Sequence, residues 1–262
     1  MINNDIKINT ERDSKFEILR IVAIVMIIYH HFIVHAPGVN PMELYNSGDI
    51  TFFNLIITEL MASFGKVGVF IFGLLTGYFM IDKNCIRFSR VIKLILLTLF
   101  YSIIIYSLSI YFDFVEFSIK NLLHICLPLT FNLYWFITAY VLLCIFIPYL
   151  NKLLINCSQK QILFLITVLF LLWYVVPTIF CVQKYYSTKF YVNDFLSLVY
   201  AYICGAYIKR FITVKINIYK ITFGIIVILS SIVMVYYLLA KYQKYLIESD
   251  LFINSSLQQF TT

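Results

Sequence analysis

An arginine and three histidines, Arg20, His30, His31 and His35, interrupt the largely apolar stretch Phe16 to His35, which is long enough to cross a bilayer. Ionisable groups at membrane depth are costly, so they mark function by default. Arg20 and His31 stand eleven positions apart. At 100° per residue that is roughly three turns, which puts them within about 20° of one face and about 16 Å apart along the axis. That distance is too long for direct contact but suits one long ligand. Glu17 and Ala23 flank Arg20 on this face, Ile24 and Ile27 continue it, and His35 extends it one turn beyond His31. His30 points about 100° away. An imidazole can take a proton near neutral pH, and a guanidinium can hold carboxylate or phosphate oxygens. The same residues also suit plainer duties: Arg20 as a cytoplasmic anchor snorkelling to headgroups, and His31 and His35 as polar residues of the outer interface. Spacing leaves both readings open.

The rest of the chain must position this face in a membrane. Of 262 residues, 62% are apolar and only 13% charged, against about a quarter charged in soluble globules. The expectation is an all-α, polytopic integral membrane helix bundle. A net charge of +7 raises nucleic acid as a partner, but the cations sit at helix ends rather than in a basic, aromatic-interleaved cluster. No nucleic-acid partner is expected. The six cysteines form no C-x-x-C pair and lie in or beside apolar runs, so neither a disulfide framework nor a metal site is expected. Residues 1–15 are polar and lack a cleavage pattern, so the first span is expected to stay attached.

In chain order, the apolar windows predict about seven spans: 16–35, 65–81, 94–112, 132–150, 162–180, 195–208 and 221–240. Residues 36–51 read as an outer loop, and 52–64, largely apolar and charged only at Glu59, as an interfacial or partly inserted helix. Glycines 65, 68, 73 and 77 leave little side chain on parts of the second span, as close helix packing or ligand approach requires. The connection 82–93 carries Lys83, Arg87, Arg90 and Lys93. Arg87 and Arg90 share a face if the next helix has begun, and together can grip phosphate oxygens. Residues 113–131 predict an amphipathic outer helix carrying His124, a polar interfacial residue, and the fourth span is expected to close at Pro148. With the N-terminus in the cytoplasm, fourteen Lys and Arg fall inside and six outside, the asymmetry that insertion follows. One domain, 1–262, is expected, with a cytoplasmic arm 1–15 and an extracytoplasmic tail 241–262.

The segments E-I-L-R-I-V-A-I-V-M-I-I-Y-H-H-F-I-V-H at 17–35, G-K-V-G-V-F-I-F-G-L-L-T-G-Y-F at 65–79, R-F-S-R at 87–90 and Y-W-F-I-T-A-Y-V-L-L-C-I-F-I-P-Y-L-N at 134–151 resemble the membrane-bound acyltransferase 3 family, in order as well as in kind. Residues 193–210 resemble the family's later helix ending in a Tyr-x-x-Gly-x-Tyr turn. The resemblance implies a multi-pass bacterial cell-membrane enzyme that O-acylates, usually O-acetylates, sugars of surface polysaccharides or glycolipids. Such proteins usually run to about ten helices, so seven spans imply a C-terminally shortened member.

Carried over residue by residue, the resemblance implies Arg20 and His31 as the essential pair and His30 as an added neighbour on the substrate side. It implies substrate binding at Gly77 and Tyr78, with Thr76 where serine is commoner, at the paired Arg87 and Arg90, and at Trp135. Acyl-coenzyme A, with acetyl the usual acyl group of the family, is the implied donor substrate, and no bound cofactor is implied. His31 would take the hydroxyl proton, while Arg20, Arg87 and Arg90 would hold donor phosphates. Implied partners are membrane lipid, the saccharide acceptor and polysaccharide biosynthesis proteins. The alternative is a non-catalytic relative that aids polysaccharide export or assembly.

Overall fold

The computed structural model describes residues 14–35, 41–83, 88–176 and 193–212, together with Ser230, Met234 and Tyr237. All regular structure among them is helical. The helices are α1 (Ser14–Val34), α2 (Pro41–Ser47), α3 (Phe52–Met80), α4 (Phe88–Tyr111), α5 (Ile119–Cys126), α6 (Trp135–Asn156), α7 (Gln159–Phe170), which continues as a π-helical turn Leu171–Val175, and α8 (Asp194–Phe211). Among the described residues, α1, α3, α4 and α6 are long and apolar enough to cross a membrane. The chain is an all-α, multi-pass membrane protein.

Several boundaries differ from expectation. Residues 52–64 and 65–81 are not two elements but the single 29-residue α3. Its polar residues interrupt hydropathy without interrupting the backbone ladder, because the Thr58 and Ser63 hydroxyls donate to carbonyls within their own helix. At about 44 Å, α3 exceeds a hydrocarbon core of about 30 Å. The fourth span does not close at Pro148, since α6 runs through it to Asn156. A proline removes only one donor from the ladder, and membrane helices tolerate that. Helix α4 begins at Phe88, so Arg90 and Lys93 stand in its first two turns. The sixth span is extended by its flanks to 18 residues, and Tyr202, Gly205 and Tyr207 lie within continuous helix rather than in a turn. The amphipathic outer helix is α5, and His124 stacks on Phe131 with ring centroids 4.0 Å apart. Residues 1–13 of the expected arm 1–15 and the tail 241–262 lie outside the described residues, as does the seventh span except for Ser230, Met234 and Tyr237, while Ser14 and Lys15 already belong to α1.

The chain forms two compact units, 1–68 with 214–262, and 69–213. In the first, α1 packs on the early part of α3 through small residues. A Cβ at Gly68 would lie 2.7 Å from the Ala23 carbonyl oxygen, and Ala23 is fully buried.

The second unit is built around α8, which packs on α6, on α7 and on α3 from Val69 onward. A Cβ at Gly73 would stand 2.7 Å from the Ala201 Cβ. One at Gly77 would run into the Tyr202 carbonyl, and one at Gly205 into the Leu74 carbonyl. Tyr202, Leu198, Ala201 and Ala206 on α8 are almost wholly buried against this contact and against α6, with Leu143, Ile147 and Leu154 of α6 equally buried. Helix α7 opens on a capping box. Ser158 Oγ accepts from the Gln161 amide, and the Ser158 amide donates to Gln161 Oε1 at 2.8 Å. On α4, the Tyr106 hydroxyl donates to the Ser118 carbonyl at 3.2 Å and accepts from the Ser118 amide at 3.1 Å, tying the start of α5 to α4.

Adding one methyl group to either backbone at this crossing forces α3 and α8 apart. Gly77→Ala and Gly205→Ala should each cost about 1–3 kcal/mol, read as a lowered thermal midpoint of the detergent-solubilised chain. An unchanged midpoint in both would mean that the crossing is looser than described.

Candidate functional site

In the first unit, α1 presents its polar residues one after another. Near its start, Arg20 pairs with Glu17 three residues earlier, N to O 2.5 Å, with both side chains more than a third exposed. One helical arginine and one glutamate three apart are natural neighbours, and such a pair contributes orientation more than stability. Further along, His30 turns toward α3. Its Nδ1 meets the Ala62 carbonyl oxygen, and its ring lies so close to Gly65 that a Cβ there would collide with it. His31, about 100° further round the helix, has an exposed side chain, and its Nδ1 lies 2.9 Å from the carbonyl oxygen of Ile27 in the preceding turn.

A carbonyl oxygen only accepts, so Nδ1 donates in both rings. This tautomer leaves the lone pair on Nε2, the nitrogen able to take a proton. The two rings meet edge to face with centroids 5.3 Å apart, and His35 follows His31 at 5.4 Å. Three imidazoles thus succeed one another along the last turns of α1. Arg20 lies on the same helix, about 16 Å away by helical rise, and does not meet them. Among the described residues, no group of His, Cys, Asp and Glu is placed to hold a metal ion.

In the second unit, α3, α4 and α6 enclose a pocket of about 200 Å³ lined by Thr76 and Met80, by Arg90, Val91 and Leu94, and by Tyr140, Cys144 and Ile147. Among the described residues its walls are mainly apolar, and Arg90 is the one charged side chain that lines it. The Thr76 hydroxyl donates to the Phe72 carbonyl at 2.7 Å, within its own helix. Of the other residues singled out in the sequence, Gly77 receives the Tyr202 backbone and makes a packing contact. Tyr78 carries the Lys209 ammonium over its ring at 4.9 Å. Trp135 opens α6, half-buried, with its ring 6.1 Å from that of Phe136. Gly77, Tyr78 and Trp135 do not line the pocket. Arg87 lies outside the described residues, so its pairing with Arg90 is not described.

An apolar, all-helical chain with several long spans is what the sequence resemblance implied. The sequence profile described as an acyltransferase domain matches residues 13–258. The chain belongs to the acyltransferase 3 family. Its general activity is therefore acyl transfer by a membrane protein. No curated protein sequence and no solved structure matches the chain.

Three residues that sequence reasoning left aside shape the basic end of this acyltransferase. Asn151 is buried in α6 and donates to the carbonyls of Met80 at 2.7 Å and Lys83 at 2.9 Å, closing the end of α3. The Tyr202 hydroxyl donates to Asn151 Oδ1. Arg210 donates to the carbonyls of Leu154, Ile155 and Cys157 at the end of α6, with Ile155 at 3.1 Å. The available signal was a lone amide in the apolar run of α6. Arg210 looked like one more positive-inside charge.

The fit of His30 against Gly65 has a size-exchange test. Gly65→Ala alone should lower the thermal midpoint by several degrees, equivalent to about 1–3 kcal/mol of overpacking. His30→Ala in the same chain should recover part of that loss by vacating the volume. Absence of any recovery in the double variant would show that His30 does not occupy the space above Gly65.

Proposed function

We propose that this acyltransferase moves an acyl group, acetyl in the simplest case, from acyl-coenzyme A to a sugar hydroxyl of a polysaccharide or glycolipid at the surface of a bacterial cell. The observation that carries the reading is the 2.9 Å contact on α1 between His31 Nδ1 and the Ile27 carbonyl oxygen. With Nδ1 of His31 donating to the Ile27 carbonyl, Nε2 is left as a base on an exposed side chain.

In the proposed reaction, His31 Nε2 takes the proton from the sugar hydroxyl as its oxygen attacks the thioester carbonyl. The tetrahedral intermediate collapses to the ester, the carbon–sulfur bond breaks, and the imidazolium returns the proton to the coenzyme A thiolate. His30 stands beside this base but is turned toward α3, where its contacts with Ala62 and Gly65 set the bearing of α1. The donor carries phosphates, and Arg20, Arg87 and Arg90 supply guanidinium groups that suit phosphate oxygens by charge-assisted, often bidentate hydrogen bonds. Lipid surrounds the spans, and proteins of polysaccharide biosynthesis are the expected neighbours in the cell membrane.

In cells, His31→Ala should reduce acylation of the surface polymer about 10²–10⁴-fold, the usual contribution of a general base, with membrane insertion unchanged. The measurement is incorporation of radiolabel from acetyl-coenzyme A into the polymer. Full incorporation by the variant would overturn the role of His31. Loss of surface polymer with its acylation unchanged would favour a role in export or assembly instead.

A further inference from the structure

Two of the three walls of the pocket in the second unit are joined by one amide. Thr76 and Met80 form the α3 wall, while Tyr140, Cys144 and Ile147 form the α6 wall. Asn151 stands one turn beyond Ile147, is 3% exposed, and places its amide nitrogen on two acceptors, the carbonyls of Met80 and Lys83. Met80 therefore belongs both to the pocket wall and to the joint.

Closing the end of α3 alone would need only the Met80 contact. The second acceptor lies past the helix end, in the connection that leads to α4, whose first turns carry Arg90. From α8, the fully buried Tyr202 donates its hydroxyl to the Asn151 oxygen, so the amide is held at its acceptor side as well as its donor side. Among the described residues, no buried side-chain nitrogen or oxygen lacks a partner, so this joint is fully satisfied. A satisfied buried polar network selects one arrangement of the helices it links. That arrangement sets the distance between the α3 and α6 walls of the pocket that Arg90 also lines.

We infer that Asn151 and Tyr202 are positioning residues for donor binding, acting through the pocket walls and Arg90. The inference rests on the reading that the donor is acyl-coenzyme A. Removing the Tyr202 hydroxyl leaves the buried Asn151 oxygen without its donor, while the Asn151 nitrogen keeps the carbonyls of Met80 and Lys83. The joint between the α3 and α6 walls is then held from one side only, and the pocket that Arg90 lines is less tightly set.

The test uses the full chain in lipid nanodiscs, with acetyl-coenzyme A as the probe and its half-saturating concentration as the readout. Tyr202→Phe keeps the ring and should raise that concentration roughly five- to tenfold, the weight of one buried hydrogen bond. Asn151→Leu should do the same, and Tyr202→Phe alone suffices where that variant does not assemble. Arg90→Ala should also raise it, and adding Tyr202→Phe to Arg90→Ala should raise it by less than Tyr202→Phe does alone, because both changes act on one pocket. Binding by Tyr202→Phe equal to the unaltered chain, or an effect that multiplies in full onto Arg90→Ala, would overturn the positioning role. Failure of the unaltered chain to bind acetyl-coenzyme A would instead overturn the donor reading on which the inference rests.

Discussion

The second unit depends on the closeness of two backbones. Where α3 crosses α8, Gly77 faces the Tyr202 carbonyl and Gly205 faces the Leu74 carbonyl, with Gly73 against Ala201 beside them. In hydrocarbon, burying apolar surface against protein has little advantage over leaving it against lipid, so helices associate through tight van der Waals packing of small residues. Glycine on both sides of one crossing lets atoms of each main chain fill the space that a side chain would need. Everything α8 contributes to the unit follows from that position. Tyr202 reaches Asn151 on α6, Lys209 reaches the ring of Tyr78, and Arg210 reaches the last turn of α6.

A second constraint acts at the helix ends. The last four carbonyls of any helix have no partner within it, and an unpaired carbonyl away from water is costly. At the basic end of this unit the answer comes from neighbouring helices: Asn151 takes carbonyls at and just beyond the end of α3, and Arg210 takes three at the end of α6. This sorts cations that composition alone treats as equivalent. Arg210 is spent on backbone oxygens and Lys209 lies over an aromatic face, whereas Arg90 lines a pocket. Of these three, Arg90 is the one whose surroundings suit a ligand, and charge-counting could not have separated it from the other two.

Much of this was legible in the sequence because helices in lipid announce themselves by composition and length. The apolar windows located each described long helix, and the eleven-residue spacing placed Arg20 and His31 on one face. What escaped was whatever depends on a partner distant in sequence. Asn54, Thr58 and Glu59 split α3 on a hydropathy scale, yet hydroxyls that bond within their own turn leave the ladder continuous. Pro148 looked like an end because one lost donor is visible locally, while the packing that carries α6 through it, with Ile147, Asn151 and Leu154 buried around that turn, is not. Likewise the four glycines of the second span read as places where a helix or a ligand could come close, without naming the partner: Gly65 and Gly68 serve α1 while Gly73 and Gly77 serve α8.

The pair of histidines shows how little apolar periodicity can decide within a membrane helix. Helix α1 is apolar nearly all round, so no stripe identifies its packed side, and His30 and His31 are equivalent in composition. Geometry separates them. The Nδ1 of His30 is bonded across to another helix and its ring fills the notch over Gly65, so moving His30 would disturb the α1–α3 contact. The Nδ1 of His31 is bonded within its own helix and its ring is exposed, so a substrate can approach without displacing a neighbour. The two residues are about 100° apart on a rigid helix, so anchoring the first fixes the bearing of the second. A general base must be both accessible and held in one tautomer, and on α1 the imidazole that meets both conditions with least structural consequence is the one eleven residues from Arg20. The other has the geometry of the part that holds it there.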